Sequence, residues 1–277
     1  LFVEEYKKGR TPNPDVLCNK EIKFAPFVKH ALSMGADYIA TGHYCDVLHA
    51  EDGLNYLLKA KDANKDQTYF LNQLTSSQLD KVIFPLGGLE KSEVRALASK
   101  FGLSTADKKD STGICFIGER NFRKFLSEYI PMQEGDIKTL DGRVVGRHDG
   151  VFYYTVGQRK GLGIGGSGNG EPWFVIDKDV EKNVLYVSQG DQSKIYHSQL
   201  ECDKFNFITY KPKEETFRCT ARIRHRQPEQ QATAIIKGEG IQLVFDEPQR
   251  AIAEGQYAVV YVDNVCLGGG VIERKKK

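Results

Sequence analysis

The first half of the chain carries apolar residues at the spacing of amphipathic helices. Two such helices are predicted, over residues 20–34 and 92–101, and a glycine follows each of them. Their apolar faces comprise Phe24, Phe27, Val28, Ala31, Val94, Leu97, Ala98 and Phe101. Between these helices, residues 37–40 predict a short buried strand, and a glycine turn at residues 41–44 follows it. A helix, a strand and a glycine turn in this order are typical of an α/β sheet, which binds ligands at the carboxyl ends of its strands.

A loop is predicted close to the start of the chain. Residues 1–9 predict the end of a helix that Gly9 closes, and two prolines within residues 11–15 predict a loop. Cys18 follows this loop at once. Further along, a polar hairpin is expected around residues 51–53.

Helical periodicity ends at Pro131, and alternating runs separated by turn residues follow. The runs that predict strands are residues 151–156, 173–176, 184–187, 232–237, 241–245, 257–262 and 265–272. An antiparallel barrel suits the last four runs, because a closed barrel leaves no exposed strand edge. We therefore expect three domains, which are an α/β catalytic domain over residues 1–131, a β-rich central domain over residues 132–197 and a C-terminal β-barrel over residues 198–277.

The predicted strand over residues 217–225 has two contrasting faces. Apolar residues alternate along it with Arg218, Arg222 and Arg224, and Arg226 lies just beyond. A row of arginines without an interleaved acid suits phosphate groups, and an ordinary solvated strand face is the alternative. The net charge of the chain is only +2, so a nucleic-acid surface has to come from local clustering of this kind.

The six cysteines are scattered, without the spacing of a zinc site or of a disulfide-rich domain. We expect no metal site and no membrane partner, and reduced thiols in a cytoplasmic protein.

Cys115 lies between Gly113 and Gly118, with basic residues on both sides that favour a thiolate. This local context leaves a reactive thiol and a buried packing residue both open, and it identifies no reaction. The cysteines interpreted as packing residues are Cys45, Cys202, Cys219 and Cys266.

Two further features have competing interpretations. The glycine-rich residues 161–170 match no phosphate-binding loop and are interpreted as a mobile loop near a partner. His43 stands out among the histidines because it lies in a glycine turn after a strand, and a purely structural histidine is the alternative.

Several long motifs occur in a fixed order along nearly the whole chain. They are residues 9–24 (GRTPNPDVLCNKEIKF), 40–44 (ATGHY), 65–71 (KDQTYFL), 110–120 (DSTGICFIGER), 154–163 (YTVGQRKGLG) and 266–270 (CLGGG). In these motifs the chain closely resembles the tRNA-specific 2-thiouridylase family. The resemblance implies a Rossmann-like, nucleotide-hydrolase-like fold for the first domain. It also implies a tRNA-uridine 2-sulfurtransferase that adenylates the C2 oxygen of the wobble uridine and replaces it with sulfur from a cysteine persulfide.

The resemblance assigns roles to individual residues. Cys115 would carry the persulfide, and Cys18 would be the second catalytic cysteine, joined to Cys115 in a transient disulfide. Asp15 lies three residues before Cys18 and suits a general acid or base, with loop capping as the alternative. Gly42 would lie at the nucleotide, and the residues that meet the target base would be Asn13, Pro14 and Asp15. The tRNA contacts would be His43, Lys65, Asp66, Gln67, Arg224, His225 and Gln256.

The resemblance also implies a set of cofactors and partners. These are ATP with Mg²⁺, no tightly bound prosthetic group, a tRNA, and a cysteine desulfurase or sulfur-relay protein as persulfide donor. The phosphate loop of the family, Ser-Gly-Gly-x-Asp-Ser, is not found in this sequence, which begins with Leu1 rather than Met. We therefore expect a chain shortened at its N-terminus that does not activate its substrate alone.

Two other classes of function are open at this point. A non-catalytic RNA-binding module would explain the barrel and the arginines but assigns no role to Cys18 and Cys115. A persulfide or disulfide oxidoreductase without RNA would explain the cysteines but leaves the arginines without a use.

Overall fold

The computed structural model describes residues 2–108, 122–165 and 170–276. Its α-helices are α1 (Phe2–Lys7), α2 (Pro14–Cys18), α3 (Val28–Ser33), α4 (Ser76–Leu79), α5 (Lys91–Lys100) and α6 (Phe122–Ser127). A π-helical segment spans Asn19–Phe27, and short 3₁₀ helices span Thr68–Leu71, Val151–Tyr153 and Ser193–Ile195.

The strands form three sheets. They are β1 (Ile39–Ala40), β2 (Asp46–His49), β3 (Asn55–Leu58), β4 (Val82–Ile83), β5 (Gly135–Lys138), β6 (Val144–His148), β7 (Trp173–Asp179), β8 (Val184–Gln189), β9 (Tyr196–Cys202), β10 (Phe205–Phe207), β11 (Thr216–Arg222), β12 (Gln230–Lys237), β13 (Gly240–Arg250), β14 (Tyr257–Val262), β15 (Val265–Val271) and β16 (Arg274–Lys276).

The first helices are present as predicted, with one difference at a proline. α1 ends before Gly9, whose φ of +74° turns the chain away from the helix. Pro14 begins α2 instead of preventing it, because the first helical position has no intrahelical acceptor for the amide that proline lacks. The prediction of a loop over residues 11–15 is therefore wrong for Pro14 and Asp15. From there the chain stays helical through the π-helical segment, which contains Pro26, to the end of α3.

The two amphipathic helices bury their apolar faces to different extents. Phe24 and Val28 are buried, whereas Phe27 is 55% exposed. On α5 no residue is buried, and Phe101 just after it is 70% exposed. Periodicity therefore predicted both helices but not which of their apolar residues are covered.

The first two sheets belong to the first and central parts of the chain. β1 and β4 pair in parallel, with Ile39 beside Val82, as in an α/β sheet. The central sheet has the order β6-β5-β8-β7 and packs around a core that includes Ile137 and Leu185. The prediction of a strand over residues 151–156 is wrong, because this segment starts with a 3₁₀ helix and continues without a strand.

The third sheet has ten strands and extends beyond the predicted barrel. Its order is β16-β9-β13-β12-β11-β14-β15-β3-β2, and β10 pairs with β15. The antiparallel strands β9 to β15 enclose a core of their own, with Leu200, Ala221 and Leu243 at its centre. The predicted polar hairpin is β2–β3, and Leu58 on β3 pairs with Val265 on β15. A hairpin from the first domain thus continues the sheet of the barrel.

A shared hydrophobic core fixes the first domain against the barrel. It includes Leu57 and Tyr69 from the first domain and Val259 and Tyr261 from β14. The hydroxyl of the fully buried Tyr69 donates to the carbonyl oxygen of Tyr257 at 3.0 Å. Each large apolar side chain buried here contributes roughly 1.5–3 kcal/mol, so the boundary between the two domains is a packed interface rather than a hinge.

Glycines 268–270 permit a close approach of the backbone at this interface. Gly268 has a φ of +147°, and a Cβ on Gly269 would lie 2.4 Å from Oδ1 of Asn72 in the first domain. A larger residue at Gly269 would push the two domains apart.

Candidate functional site

Residues 11–13, which lead into α2, are held by hydrogen bonds to the helix on one side and to the barrel on the other. Asn13 caps the helix, and its side-chain oxygen accepts two backbone amides of the first turn, each at 3.2 Å. From the barrel, Nε2 of Gln256 donates to the carbonyl oxygen of Thr11 at 2.7 Å. The barrel therefore fixes the start of the helix that carries Asp15 and Cys18.

Asp15 and Cys18 lie three residues apart on α2 and so share one side of the helix. Both side chains are half-buried. Burial raises the pKa of the Asp15 carboxyl above its usual value, and the ammonium of Lys23 opposes part of this rise. A carboxyl whose pKa is raised toward neutrality can accept or release a proton beside a thiol, as a general acid or base does.

The turn after β1 holds His43 in a partly buried position. The Thr41 hydroxyl lies 3.0 Å from His43 Nδ1, and the ring packs 5.7 Å from the ring of Phe24 between centroids. Burial, with a smaller effect of Lys23, lowers the pKa of His43 to about 4. The imidazole is therefore neutral at neutral pH and offers a neutral hydrogen-bonding group.

Gly42, in the same turn, is exposed at the carboxyl end of β1, the position where α/β sheets bind ligands. A Cβ added to Gly42 would find no heavy atom nearer than Leu86 Cδ1, at 3.9 Å. The space beside this backbone is open, so the turn fits a nucleotide that approaches it closely.

Residues 65–67 connect this turn to the barrel. The Gln67 amide donates to the Tyr44 carbonyl at 2.8 Å, and Gln67 Oε1 accepts the Tyr44 amide at 2.9 Å. Asp66 is 2% exposed, and its carboxylate accepts a hydrogen bond from Arg222 of β11 at 3.0 Å. The structure thus buries Asp66, whereas Lys65 and Gln67 on either side of it are half-buried.

His225 lies where the first domain meets the barrel. Its ring is 4.2 Å from the ring of Phe70, whose carbonyl accepts the side-chain amide of Asn19 at 3.1 Å. Burial, followed by neighbouring cations that include Lys65, lowers the pKa of His225 to about 4. A short series of contacts therefore connects His225 through Phe70 to Asn19, the residue that directly follows Cys18.

The arginines of residues 218–226 do not form one open cationic face. Arg218 pairs at the surface with a carboxylate of β13 at 2.6 Å. Arg222, at the end of β11, is 7% exposed and lies between two carboxylates, each at 3.0 Å. Arg224 follows the strand and donates to the carbonyl oxygen of Ala251 at 2.8 Å. The prediction of one open row for phosphate is wrong for Arg218 and Arg222, because acids distant in sequence pair with them. Arg224 is half-buried and Arg226 is exposed, so a contact with nucleic acid stays a prediction for these two.

The structure brings most of the predicted site residues together, but not all of them can be placed. Contacts join the segments in pairs: Gln256 bonds the chain just before α2, Gln67 bonds Tyr44, and Phe70 contacts both Asn19 and His225. Cys115 and its stretch, residues 110–120, lie outside the described residues, as do residues 166–169 of the glycine-rich loop. The cysteines interpreted as packing residues are buried, which confirms that interpretation for Cys45, Cys202, Cys219 and Cys266.

Two residues near the site were not singled out from the sequence as parts of it. Lys23 lowers the pKa of both Asp15 and His43, and it follows Asp15 by about two helical turns, a spacing that could have indicated it. Arg222 was assigned to a solvent face, and no local signal predicts its pairing with Asp66, because that residue lies in another domain.

Across residues 2–108, 122–165 and 170–276, no helix combines the length and the apolar character needed to span a membrane. These ranges also contain no group of three or more His, Cys, Asp and Glu side chains placed to hold a metal ion.

Family models match the chain in three consecutive parts. Residues 1–119 match a tRNA methyl transferase HUP domain, residues 123–189 a tRNA methyl transferase PRC-barrel domain, and residues 197–272 an aminomethyltransferase beta-barrel domain. The chain is therefore of the class in which a Rossmann-like HUP domain precedes a PRC-barrel-like domain and a C-terminal β-barrel, which confirms the predicted fold class.

Relatives narrow this class to one family. The chain is 59% identical over 280 residues to the tRNA-specific 2-thiouridylase MnmA of Halalkalibacterium halodurans, an alignment that covers 100% of the chain and 75% of that relative. It is 58% identical to the protein of the same name from Listeria welshimeri (98% and 73% covered) and 55% identical to that from Streptococcus sanguinis (100% and 75% covered). The chain belongs to the tRNA-specific 2-thiouridylase family.

Proposed function

We propose that the protein is a cytoplasmic tRNA-uridine 2-sulfurtransferase that places sulfur on C2 of the wobble uridine. The observation that carries this proposal is that contacts join motifs distant in sequence: Gln256 to the chain just before α2, Gln67 to Tyr44, and Phe70 to both Asn19 and His225. Relatives that are 55–59% identical to the chain over the aligned residues bear the corresponding name. Two of the family models are named after tRNA methyl transfer, whereas these relatives, aligned with the whole chain, are named after thiolation of uridine.

ATP with Mg²⁺ is the proposed co-substrate, and it would supply the adenylate that turns the C2 oxygen of uridine into a leaving group. The turn at residues 41–44 is the part of the described chain that fits a nucleotide. Gly42 leaves room for a close approach to the backbone, and His43 is neutral there because of its lowered pKa. A neutral imidazole adds no positive charge beside the nucleotide and can still donate or accept a hydrogen bond.

Cys115 is proposed to carry the transferred sulfur as a persulfide, delivered by a cysteine desulfurase or a sulfur-relay protein. The terminal sulfur forms a bond to C2, and the activated oxygen leaves with its electron pair. The Cys18 thiolate then attacks Cys115 Sγ, and the persulfide bond breaks with its electrons on the sulfur that stays on the uridine. The products are a 2-thiouridine and a Cys18–Cys115 disulfide, which a two-electron reductant returns to thiols.

Asp15 is proposed to take the proton of Cys18 in this step. Its position one turn before Cys18 and its raised pKa both support that role. Asn13 and Pro14 are proposed to face the target base together with Asp15, once the base has left the anticodon stack.

The tRNA is proposed to lie along the interface between the first domain and the barrel. Lys65 is proposed to supply positive charge for a phosphate. The rings of Phe70 and His225, with centroids 4.2 Å apart and planes tilted by 37°, are proposed to provide aromatic surface for a base. His43, Gln67, Arg224 and Gln256 are proposed as further contacts, as the family resemblance implies.

The proposal is tested by replacing each reactive cysteine with alanine in the full-length protein. Purified variants are incubated with tRNA, ATP and a persulfide donor, and 2-thiouridine is measured by mass spectrometry of the digested tRNA. Neither Cys18→Ala nor Cys115→Ala is expected to form 2-thiouridine, whereas the control Cys219→Ala, altered in the barrel core, keeps forming it. Undiminished thiolation by either cysteine variant contradicts the proposal. A wild-type protein that binds tRNA without thiolating it would favour the non-catalytic RNA-binding module.

A further inference from the structure

A group of four charges, buried at Asp66 and Arg222 and half-buried at Lys59 and Glu229, joins the barrel to residues 65–67. Nη1 of Arg222 lies 3.0 Å from Oδ1 of Asp66, and Nη2 lies 3.0 Å from Oε1 of Glu229. Glu229 also accepts a hydrogen bond from Lys59 at 3.1 Å. Two positive and two negative charges are therefore balanced at the boundary between the first domain and the barrel.

The Asp66 carboxylate is fully engaged inside the protein. Besides Arg222, it accepts the backbone amide of Ala60 at 2.9 Å and the hydroxyl of Thr68 at 2.5 Å. With 2% of its surface exposed, Asp66 has no oxygen available for a substrate. Asp66 lies between Lys65 and Gln67 in the chain, so these hydrogen bonds also fix the backbone position of those two residues.

Gln67 in turn fixes the position of the turn after β1, because it is hydrogen-bonded to Tyr44 of that turn. Its two hydrogen bonds with Tyr44, at 2.8 and 2.9 Å, hold the residue that follows Gly42 and His43. A displacement of Asp66 would therefore move the proposed nucleotide turn as well as Lys65.

The ion pair is poorly suited to serve stability alone. Arg222 is 7% exposed, and its Nε is buried without a hydrogen-bond partner among the described residues. Burying charged groups costs several kcal/mol of solvation that their mutual attraction barely offsets, and apolar residues of similar volume often stabilise a protein as well or better. The ion pair is therefore better explained by the positions in which it holds the neighbouring residues than by a gain in stability.

We infer that Arg222 and Asp66 are positioning residues of the thiolation reaction. The ion pair holds Lys65, and through Gln67 the turn with Gly42, at a fixed place relative to the barrel. This inference rests on the proposed function and departs from the family resemblance in one respect, because Asp66 then acts through its neighbours instead of contacting tRNA.

The test compares Arg222→Met and Asp66→Asn with Arg218→Met, a control that removes an exposed ion pair from the same strand. In the two buried-pair variants, kcat is expected to fall about tenfold or more with a smaller change in the KM for tRNA, because one lost positioning interaction is worth about a factor of ten. Arg222→Lys keeps the charge and is expected to recover part of the rate. The control is expected to stay close to the wild-type rate.

Hydrogen exchange of the Tyr44 amide supplies a readout that does not depend on activity. In Arg222→Met and Asp66→Asn this amide is expected to exchange about tenfold faster, while amides of β7 in the central domain stay unchanged. A wild-type kcat in both variants, or an equal acceleration of exchange throughout the protein, overturns the inference. If Arg222→Met does not fold, Arg222→Lys and Asp66→Asn decide the same question. A wild-type protein that makes no 2-thiouridine contradicts the proposed function, and the Tyr44 amide then still tests the positioning.

Discussion

Replacing Gln256 by glutamate is expected to slow thiolation without unfolding the protein. Gln256 Nε2 donates to the Thr11 carbonyl at 2.7 Å and lies 3.5 Å from the Pro12 carbonyl. Glutamate has the same size but offers only acceptors when ionised. The hydrogen bond is therefore lost, and a carboxylate faces two carbonyl oxygens at the segment that leads into α2.

The size of this effect follows from the hydrogen bond that is removed. Its net contribution is about 1 kcal/mol, and a half-buried carbonyl left without a donor adds about 1–2 kcal/mol. The segment can move to rehydrate its carbonyls, so this cost appears as displacement of Asp15 and Cys18 more than as unfolding. The total is about 2–3 kcal/mol, and about 1.4 kcal/mol corresponds to a factor of ten in rate, so the rate of the chemical step is expected to fall about 30- to 150-fold.

The assay is single-turnover 2-thiouridine formation at saturating tRNA and ATP, with thermal unfolding followed on the same samples. The control is Gln242→Glu, which breaks a 2.8 Å hydrogen bond to Gln199 between β13 and β9, away from α2. A full single-turnover rate in Gln256→Glu refutes the reasoning. A higher KM for tRNA at an unchanged single-turnover rate would leave Gln256 with only its proposed contact to tRNA.

Three further changes have expected outcomes. Gly9→Ala should lower the free energy of unfolding by about 1–3 kcal/mol in urea titrations, because an added Cβ at φ +74° would lie 2.4 Å from Val180 Cγ2. Gly53→Ala, at φ +80° with open space around it, is the control and should cost less. Asp15→Asn should lower the single-turnover rate about 100-fold or more at unchanged tRNA affinity, measured by filter binding, and a normal rate would exclude Asp15 as the proton acceptor. Acidification should destabilise the protein, because the unfolded state protonates His43 near pH 6.5 while burial keeps the folded pKa at about 4. Through His43 alone, stability is then lost as the pH falls below about 6.5, by about 2 kcal/mol at pH 5. His225, whose pKa is also about 4, adds a similar loss, so His43→Gln should remove about half of the decline from the urea-denaturation profile.

The parts of the fold that depend on local chemistry could be predicted from the sequence. Gly9 ends α1 because it can adopt a positive φ, and alternating apolar residues formed β12 to β15 where expected. Pro14 was interpreted wrongly because a proline excludes a helix interior but favours the first helical position, and the difference depends on where the helix begins.

The parts that depend on distant contacts could not be predicted in this way. The hairpin β2–β3 was expected, but its pairing with β15 joins residues some two hundred positions apart. The arginines of β11 alternated as expected, yet their acidic partners come from β13 and the first domain. The apolar face of α5 was also predicted from periodicity, but no residue of α5 is buried. Periodicity identifies an apolar face without identifying whether another element covers it.

The candidate site also has a part that local sequence predicts and a part that depends on distant contacts. The residue types of Asp15, Cys18 and His43 could be singled out from their local sequence and from the family resemblance. Their common environment could not, because it is created by Lys23 from the π-helical segment and by Gln256 from the barrel. The raised pKa of Asp15 and the lowered pKa of His43 both follow from burial that only the folded chain provides.

The sulfur-transfer account is tested most directly by the state of Cys18 and Cys115 after one turnover. Full-length protein loaded with one persulfide per molecule is mixed with tRNA and ATP without reductant, quenched in acid, and analysed by mass spectrometry of unreduced peptides. The account predicts one Cys18–Cys115 cross-linked peptide for every 2-thiouridine formed. A full equivalent of 2-thiouridine with both cysteines recovered as thiols would contradict it.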